Sequence, residues 1–138
     1  MRIEQTIEIA RPQQAVFDFL TDPERLPEWQ TSTVEVRRER SGPLAVGERF
    51  KEVHAAMGRR LESTVEVAES NPPSAFALKV LDGAMPLDGR WTFEAAGDGT
   101  RVHFLGEADV GGLKKLARPL IARQFRGYHR LLKQRLEM

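Results

Sequence analysis

The chain has 138 residues, a formal net charge of +1, 41% apolar residues and 30% charged residues. This length and composition are typical of a globular protein with one hydrophobic core, so we expect a single domain over residues 1–138. The sequence contains no cysteine, which excludes a disulfide scaffold, a thiolate metal site and a cysteine nucleophile.

The first residues, Met1 to Ala10, already alternate like a strand and do not include the apolar segment of a signal peptide. No apolar run approaches the roughly 20 residues that span a bilayer. We therefore expect a cytoplasmic protein without integral membrane association.

The N-terminal third is predicted to contain one strand and two short helices. Alternation over Arg2 to Ala10 predicts the strand, and Pro12 is typical of the first turn of a helix. The apolar face of this helix consists of Val16, Phe19 and Leu20. Asp22-Pro23 ends it, and a second short helix is predicted to end near Trp29.

Six further strands are predicted, separated by short turns. They are Ser32–Glu39, Glu48–Met57, Arg59–Glu69, Ala75–Leu81, Gly89–Ala95 and Thr100–Asp109. In the first of them, Val34 and Val36 recur at a period of two, as in a strand. Gly58 and Gly97 are typical of tight hairpin turns. Because the connections are short, the sheet should be mainly antiparallel, with one face covered by another element.

A long helix over Gly112 to Glu137 is predicted to cover that face. Its apolar stripe consists of Leu113, Leu116, Ala117, Leu120, Ile121, Gln124, Tyr128, Leu131, Leu132 and Leu136. Pro119 lies inside this range and predicts a bend in the helix. The predicted fold class is therefore α+β, with a seven-stranded antiparallel sheet packed against a long C-terminal helix.

The charge is unevenly distributed. Residues 112–138 contain eight Lys or Arg and one acid, a net +7, whereas the remaining residues carry −6. Such a helix either packs its charges against an acidic sheet or presents them to an anionic partner. No clear set of exposed aromatic residues accompanies the arginines as a stacking platform, so we expect no nucleic-acid partner.

Five stretches resemble the polyketide cyclase/dehydrase-like branch of the START/Bet v1 (SRPBCC) helix-grip superfamily. They are Ile7–Pro12, Val16–Trp29, Val46–Phe50, Gly58–Leu61 and Gly99–Val102. The resemblance implies that a curved sheet grips the long helix and encloses an elongated pocket. Within this superfamily the same fold serves lipid carriage, hormone binding, cyclisation and chaperone cofactors, so the fold alone does not decide the function.

The inward positions of the strands mix large and small residues, as expected around a pocket or in a sharply bent sheet. The large ones are Leu61, Phe76, Trp91, Phe93 and Phe104, and the small ones are Ser63, Gly89, Gly106 and Ala108. Together with the resemblance, this pattern predicts a ligand-binding cavity. The expected ligand contacts are Trp29, Phe50, His54, Phe76, Trp91, Phe93, Phe104, Leu120, Gln124 and Tyr128.

His54 is the most interesting polar residue. If Phe50 points inward, a period of two brings Glu52 and His54 to the same side, where they could move a proton near neutral pH. Val53 and Met57 have the opposite parity and are equally plausible inward residues, which would place His54 on the solvent face.

Tyr128 and Gln124 lie one turn apart on the apolar stripe and could present polar tips to the pocket. Alternatively, Tyr128 packs in the core with its hydroxyl satisfied at the edge. His103 is out of phase with its strand, and His129 is expected among the charges of the helix.

Three functions are compatible with this pattern. The leading hypothesis is the binding or carriage of a small hydrophobic molecule, such as a lipid, polyketide or isoprenoid. The second is a cyclase or dehydratase in which His54, Tyr128 or Glu52 acts as acid or base. The third is a protein-interaction or chaperone-cofactor module. We expect no cofactor and no metal, since three scattered histidines form no ligand motif, and a homodimer is compatible with the sequence.

Overall fold

The computed structural model describes residues 1–83, 86–109 and 116–138. Its seven strands are β1 Arg2–Ile9, β2 Thr33–Arg37, β3 Arg49–Ala56, β4 Arg59–Asn71, β5 Ala75–Asp82, β6 Asp88–Ala96 and β7 Gly99–Glu107. Its helices are α1 Gln13–Leu20, α2 Leu26–Trp29 and α3 Arg118–Leu136, and a short 3-10 helix over Pro23–Arg25 precedes α2.

The strands form one curved antiparallel sheet in the order β1-β7-β6-β5-β4-β3-β2. The β3–β4 hairpin turns at Met57 and Gly58, whose φ angles of 51° and 75° suit the two-residue turn that matches strand twist. Register shifts interrupt β4 after Thr64 and after Val67, and such irregularities bend a strand. The predicted α+β class and the seven-stranded sheet are confirmed.

The core lies between the concave face of the sheet and α3. The helix turns its buried stripe toward the sheet, and this stripe consists of Ile121, Tyr128, His129, Leu132 and Leu136. Phe17 of α1 closes one end of the core, where its ring packs edge-on against Phe76 and Phe93. Aromatic pairs of this kind add to the stabilisation that burial alone provides.

The C-terminal helix begins later than predicted. It starts at Arg118, so Pro119 lies in the first turn, where the missing N–H has no partner inside a helix in any case. The predicted bend at Pro119 is therefore wrong. Leu116 and Leu120, expected on the inner stripe, are 75% and 69% exposed. The helix turns Ile121 toward the core, so Leu120, the residue before it, faces solvent. Residues 112–115, including Leu113, lie outside the described residues.

Two elements near the N-terminus differ in detail from the sequence pattern. In α1 the buried residues are Val16, Phe17 and Leu20, whereas Phe19 is half-buried beneath the guanidinium of Arg25. In β2, Val34 is 42% exposed and Thr33 is buried. The register shifts between Thr33 and Glu35, and the extra residue of such a bulge leaves the alternation of the strand.

Candidate functional site

A cavity of about 260 Å³ lies between α3 and the concave faces of β3 to β7. Most of its wall is apolar, with contributions from Leu61, Val65, Leu78, Val80, Leu87, Trp91, Phe104 and Phe125. The small residues Ser63 and Gly89 also line it, as their inward parity predicts. A side chain at Gly89 would crowd the aromatic wall, since a Cβ atom there would lie 3.0 Å from the Trp91 ring and 3.1 Å from the Phe104 ring.

Polar groups gather at one part of this wall. They are Gln30, Ser32, Glu52, His54, Ser63, Gln124 and Tyr128. The loop between α2 and β2 supplies the first two, β3 supplies Glu52 and His54, and α3 supplies the last two. An apolar cavity with a few convergent polar groups is the usual form of a small-molecule site.

Glu52 is the charged residue buried deepest in this wall, with 5% of its surface exposed. Its Oε1 atom accepts hydrogen bonds from Gln30 Nε2 at 2.7 Å and from Thr33 Oγ1 at 3.1 Å. Burial raises the pKa of Glu52, and the two hydrogen bonds oppose this shift only in part. The carboxyl group therefore holds its proton to a higher pH than an exposed glutamate.

His54 and Tyr128 flank Glu52. The Thr33 hydroxyl that contacts Glu52 also lies 3.4 Å from His54 Nδ1, and burial lowers the pKa of His54. The Tyr128 hydroxyl donates to Ser32 Oγ at 2.7 Å, and burial raises the pKa of Tyr128. All three groups are thus favoured in their neutral forms inside one cavity.

His129 anchors α3 to the sheet beside the cavity. Trp91 Nε1 donates to its Nε2 at 3.1 Å, and its Nδ1 lies 2.8 Å from Gln5 Oε1. Gln5 Nε2 donates to the Ala122 carbonyl at 2.7 Å, which fixes the Gln5 amide with its oxygen toward the histidine. Because an indole N–H can only donate, His129 is the neutral tautomer with its proton on Nδ1.

The predicted site residues divide into three groups. Glu52, His54, Trp91, Phe104, Gln124 and Tyr128 line the cavity together. Trp29, Phe50, Phe76 and Phe93 are buried in the surrounding core and do not line it. Leu120 faces solvent at the start of α3 and is a wrong assignment, since the inner stripe lies one residue later.

Sequence reasoning missed other residues of the site. His129 is 3% exposed, so its expected place among the helix charges is wrong; its i+4 spacing from Phe125 and its adjacency to Tyr128 were the available signals. Gln30, Ser32 and Thr33 belong to a short connection and a bulged strand start, where no periodicity indicates which side chains point inward.

The described residues contain no group of three His, Asp or Glu side chains arranged to hold a metal ion. Within the same residues, no helix is long and apolar enough to cross a membrane.

Three solved structures with the same fold share little sequence with this chain. TTHA0849 from Thermus thermophilus has a TM-score of 0.80 at 19% identity, and the match covers 99% of this chain and 97% of that one. Ara h 8.0201 has a TM-score of 0.77 at 10% identity over 99% and 97%. The Aha1 dimer from Colwellia psychrerythraea has a TM-score of 0.75 at 18% identity over 100% and 97%. At these identities the matches show the fold alone.

A search of the curated proteins finds no match. A family profile described as polyketide cyclase / dehydrase and lipid transport matches residues 1–137. This match covers nearly the whole chain, and it agrees with the helix-grip fold and with the cavity between sheet and helix. The chain therefore belongs to the polyketide cyclase/dehydrase and lipid transport family, within the SRPBCC helix-grip superfamily.

Proposed function

We propose that this protein binds or carries a small hydrophobic molecule in the cavity between α3 and the sheet. The cavity itself is the observation that supports this function, because its wall is mainly apolar and its polar groups converge at one part. The family description, which includes lipid transport, is consistent with it.

The size of the cavity narrows the class of ligand. Sites for drug-sized molecules usually enclose about 300–1,000 Å³, and this cavity encloses about 260 Å³. Aromatic rings of Trp91, Phe104 and Phe125 form part of the wall. A compact ring system therefore fits better than a long acyl chain.

Thermal denaturation with a panel of compact polyketide-like, isoprenoid and aromatic compounds tests this function. A ligand that binds only the folded state raises its stability, by about 2.7 kcal/mol at a ligand concentration of 100 Kd. In the variant Leu78→Trp the larger side chain enters the cavity, so we expect the shift in Tm to disappear.

Leu81→Trp is the matched control, since Leu81 lies on the same strand but is 40% exposed and does not line the cavity. It should keep the ligand-induced shift of the wild type. Equal shifts in both tryptophan variants would show that the compounds bind elsewhere.

Acid–base catalysis is the second candidate, because Glu52, His54 and Tyr128 all line the same cavity. In the dehydration of a β-hydroxy ketone, neutral His54 would accept the proton from the α-carbon. Protonated Glu52 would donate its proton to the departing hydroxyl, which leaves as water while the carbon–carbon double bond forms.

Absorbance of the enone product measures this reaction. Glu52→Gln and His54→Gln should each lose turnover while still binding the substrate. A wild-type protein that binds β-hydroxy ketones without releasing enone would exclude this candidate and leave binding as the function.

A further inference from the structure

Glu52 is a buried acid in the cavity wall, and it has no ion-pair partner among the described residues. Within the described part of the chain, no Lys or Arg side chain forms an ion pair with it, whereas Glu48 on the adjoining turn is paired with Arg38 at 2.7 Å. A buried carboxylate without a counter-charge is costly. The uncharged form of Glu52 avoids this cost, and its raised pKa agrees with that form.

The hydrogen bonds of Glu52 decide which oxygen holds the proton. Oε1 accepts from both Gln30 Nε2 and Thr33 Oγ1, so it is the carbonyl oxygen of the neutral acid. The proton must then lie on Oε2, which has no hydrogen-bond partner among the described residues. Because Glu52 lines the cavity, Oε2–H is a donor for whatever occupies it.

Two neighbouring hydroxyl groups are already engaged. The Tyr128 hydroxyl donates its proton to Ser32 Oγ, and Thr33 Oγ1 lies against Glu52 and His54. Oε2 is not among the buried side-chain atoms that lack a partner, so it is accessible from the cavity, where a ligand oxygen can accept its proton. We propose that the ligand is an uncharged apolar molecule with a carbonyl or hydroxyl oxygen that accepts a hydrogen bond from Glu52 Oε2. This inference rests on the proposed binding function.

Three naphthalenes of similar size test the inference: 2-acetylnaphthalene, 2-ethylnaphthalene and 1-(2-naphthyl)ethylamine, which is cationic at neutral pH. Titration calorimetry gives the Kd of each for the wild type, Glu52→Leu and Glu52→Gln. Leucine removes the donor, whereas glutamine keeps an oxygen toward Gln30 and Thr33 and an N–H toward the cavity. The ratio of the ketone and hydrocarbon Kd values cancels the general effects of each substitution.

We expect the preference for the ketone to fall about fivefold in Glu52→Leu, as for the loss of one hydrogen bond, and to remain in Glu52→Gln. Raising the pH through the Glu52 titration should weaken ketone binding to the wild type but not to Glu52→Gln. His54 and Tyr128, the other titratable groups that face Glu52, are retained in both proteins, so the difference between them belongs to Glu52.

Two results would overturn the inference while leaving the binding function intact. One is the same ratio of ketone to hydrocarbon affinity in all three proteins. The other is an affinity for the amine that exceeds that for the ketone in the wild type and is lost in Glu52→Gln, which would identify a cationic ligand. Failure of all three compounds to bind the wild type would instead overturn the binding function and this inference together.

Discussion

At the scale of single residues, His129 is a titratable group whose neutral ring links α3 to the sheet by hydrogen bonds. Both of its ring nitrogens are engaged, one by the Trp91 indole and one by the Gln5 amide. Protonation of Nε2 would place two N–H donors against each other, 3.1 Å apart. Burial lowers the pKa of His129 to about 4, so the link between α3 and the sheet is intact at neutral pH.

This arrangement predicts a loss of stability in acid. His129 has a pKa of about 4 in the folded protein and 6.5 as its reference value. Between these pH values the unfolded chain binds more protons, so stability rises with pH across this window and falls as the solution is acidified. The full effect is about 3 kcal/mol, reached below pH 4.

Chemical denaturation between pH 7 and pH 4 measures this loss of folding stability. His129→Gln should be less stable than the wild type at pH 7, but its stability should fall less on acidification. His103→Gln is the control, since His103 lies on the exposed face of β7 and contacts Thr6. If His129→Gln and the wild type lose the same free energy between pH 7 and pH 4, His129 does not carry this acid sensitivity.

The wall of the cavity was partly predictable at this scale. A period of two along β3 brings Glu52 and His54 to one side once Phe50 points inward, and the structure has this arrangement, with Met57 99% exposed. The sequence left the opposite parity equally open, because Val53 is also buried. Arg49, Lys51 and Ala55 on the Val53 side of β3 are exposed, so the one buried valine interrupts the alternation that would otherwise identify the cavity side.

At the scale of elements, periodicity and turn residues predicted the strands well, whereas the start of α3 and the bulge in β2 were not predicted. Which face of the helix points inward depends on where the chain leaves the sheet. Leu116 and Leu120 have the four-residue spacing of a buried stripe, but the stripe that is buried includes Ile121, one residue after Leu120. The bulge at Val34 depends on pairing with β3, a non-local contact that no local window contains.

Two glycines with equally open surroundings should respond oppositely to alanine. At both Gly127 of α3 and Gly58 of the hairpin turn, an added Cβ would meet no atom within 4 Å. Gly58 has a φ of +75°, which disfavours a side chain, whereas Gly127 lies in a helix. Gly127→Ala should stabilise the protein by about 0.5–1 kcal/mol, and Gly58→Ala should destabilise it by about 1–2 kcal/mol.

Urea denaturation of the two variants beside the wild type checks both signs. The comparison isolates backbone conformation, because neither alanine gains or loses a side-chain contact. Destabilisation by Gly127→Ala would mean that this part of α3 does not have the helical conformation described.

At the scale of the whole molecule, the basic C-terminal segment is not neutralised by ion pairs of its described residues with the acidic remainder of the chain, although their net charges of +7 and −6 nearly cancel. The acids of the sheet pair mainly with arginines of the sheet itself, as in Arg49–Glu66 between β3 and β4 and Arg90–Glu69 across β5, both at 2.8 Å. Of the basic residues of α3, Lys133 pairs with Glu137 at 2.7 Å. Arg123, Arg126 and Arg130 are exposed and form no ion pair among the described residues.

Like charges on α3 should therefore repel one another. Arg126 lies three residues after Arg123 and four before Arg130, spacings at which exposed side chains are neighbours. Arg126→Glu would replace two repulsive pairs with attractive ones, and each change of this kind is worth a few tenths of a kcal/mol. We expect a gain of about 0.5–1 kcal/mol in low salt, measured by urea denaturation.

The same charge reversal on the sheet should have the opposite effect. Arg101 pairs with Glu8 at 2.9 Å and with Glu94 at 3.0 Å, so Arg101→Glu would set three acids side by side and destabilise the protein. Both effects should shrink between 0.1 M and 1 M salt, as the Debye length falls from about 10 Å to about 3 Å. A loss of stability in Arg126→Glu that equals that of Arg101→Glu would mean that the arginines of α3 are paired after all. A gain would instead indicate that the three arginines repel one another in the folded protein. Such a cost in stability is expected of a basic surface that binds an anionic partner, as in the hypothesis of a protein-interaction module.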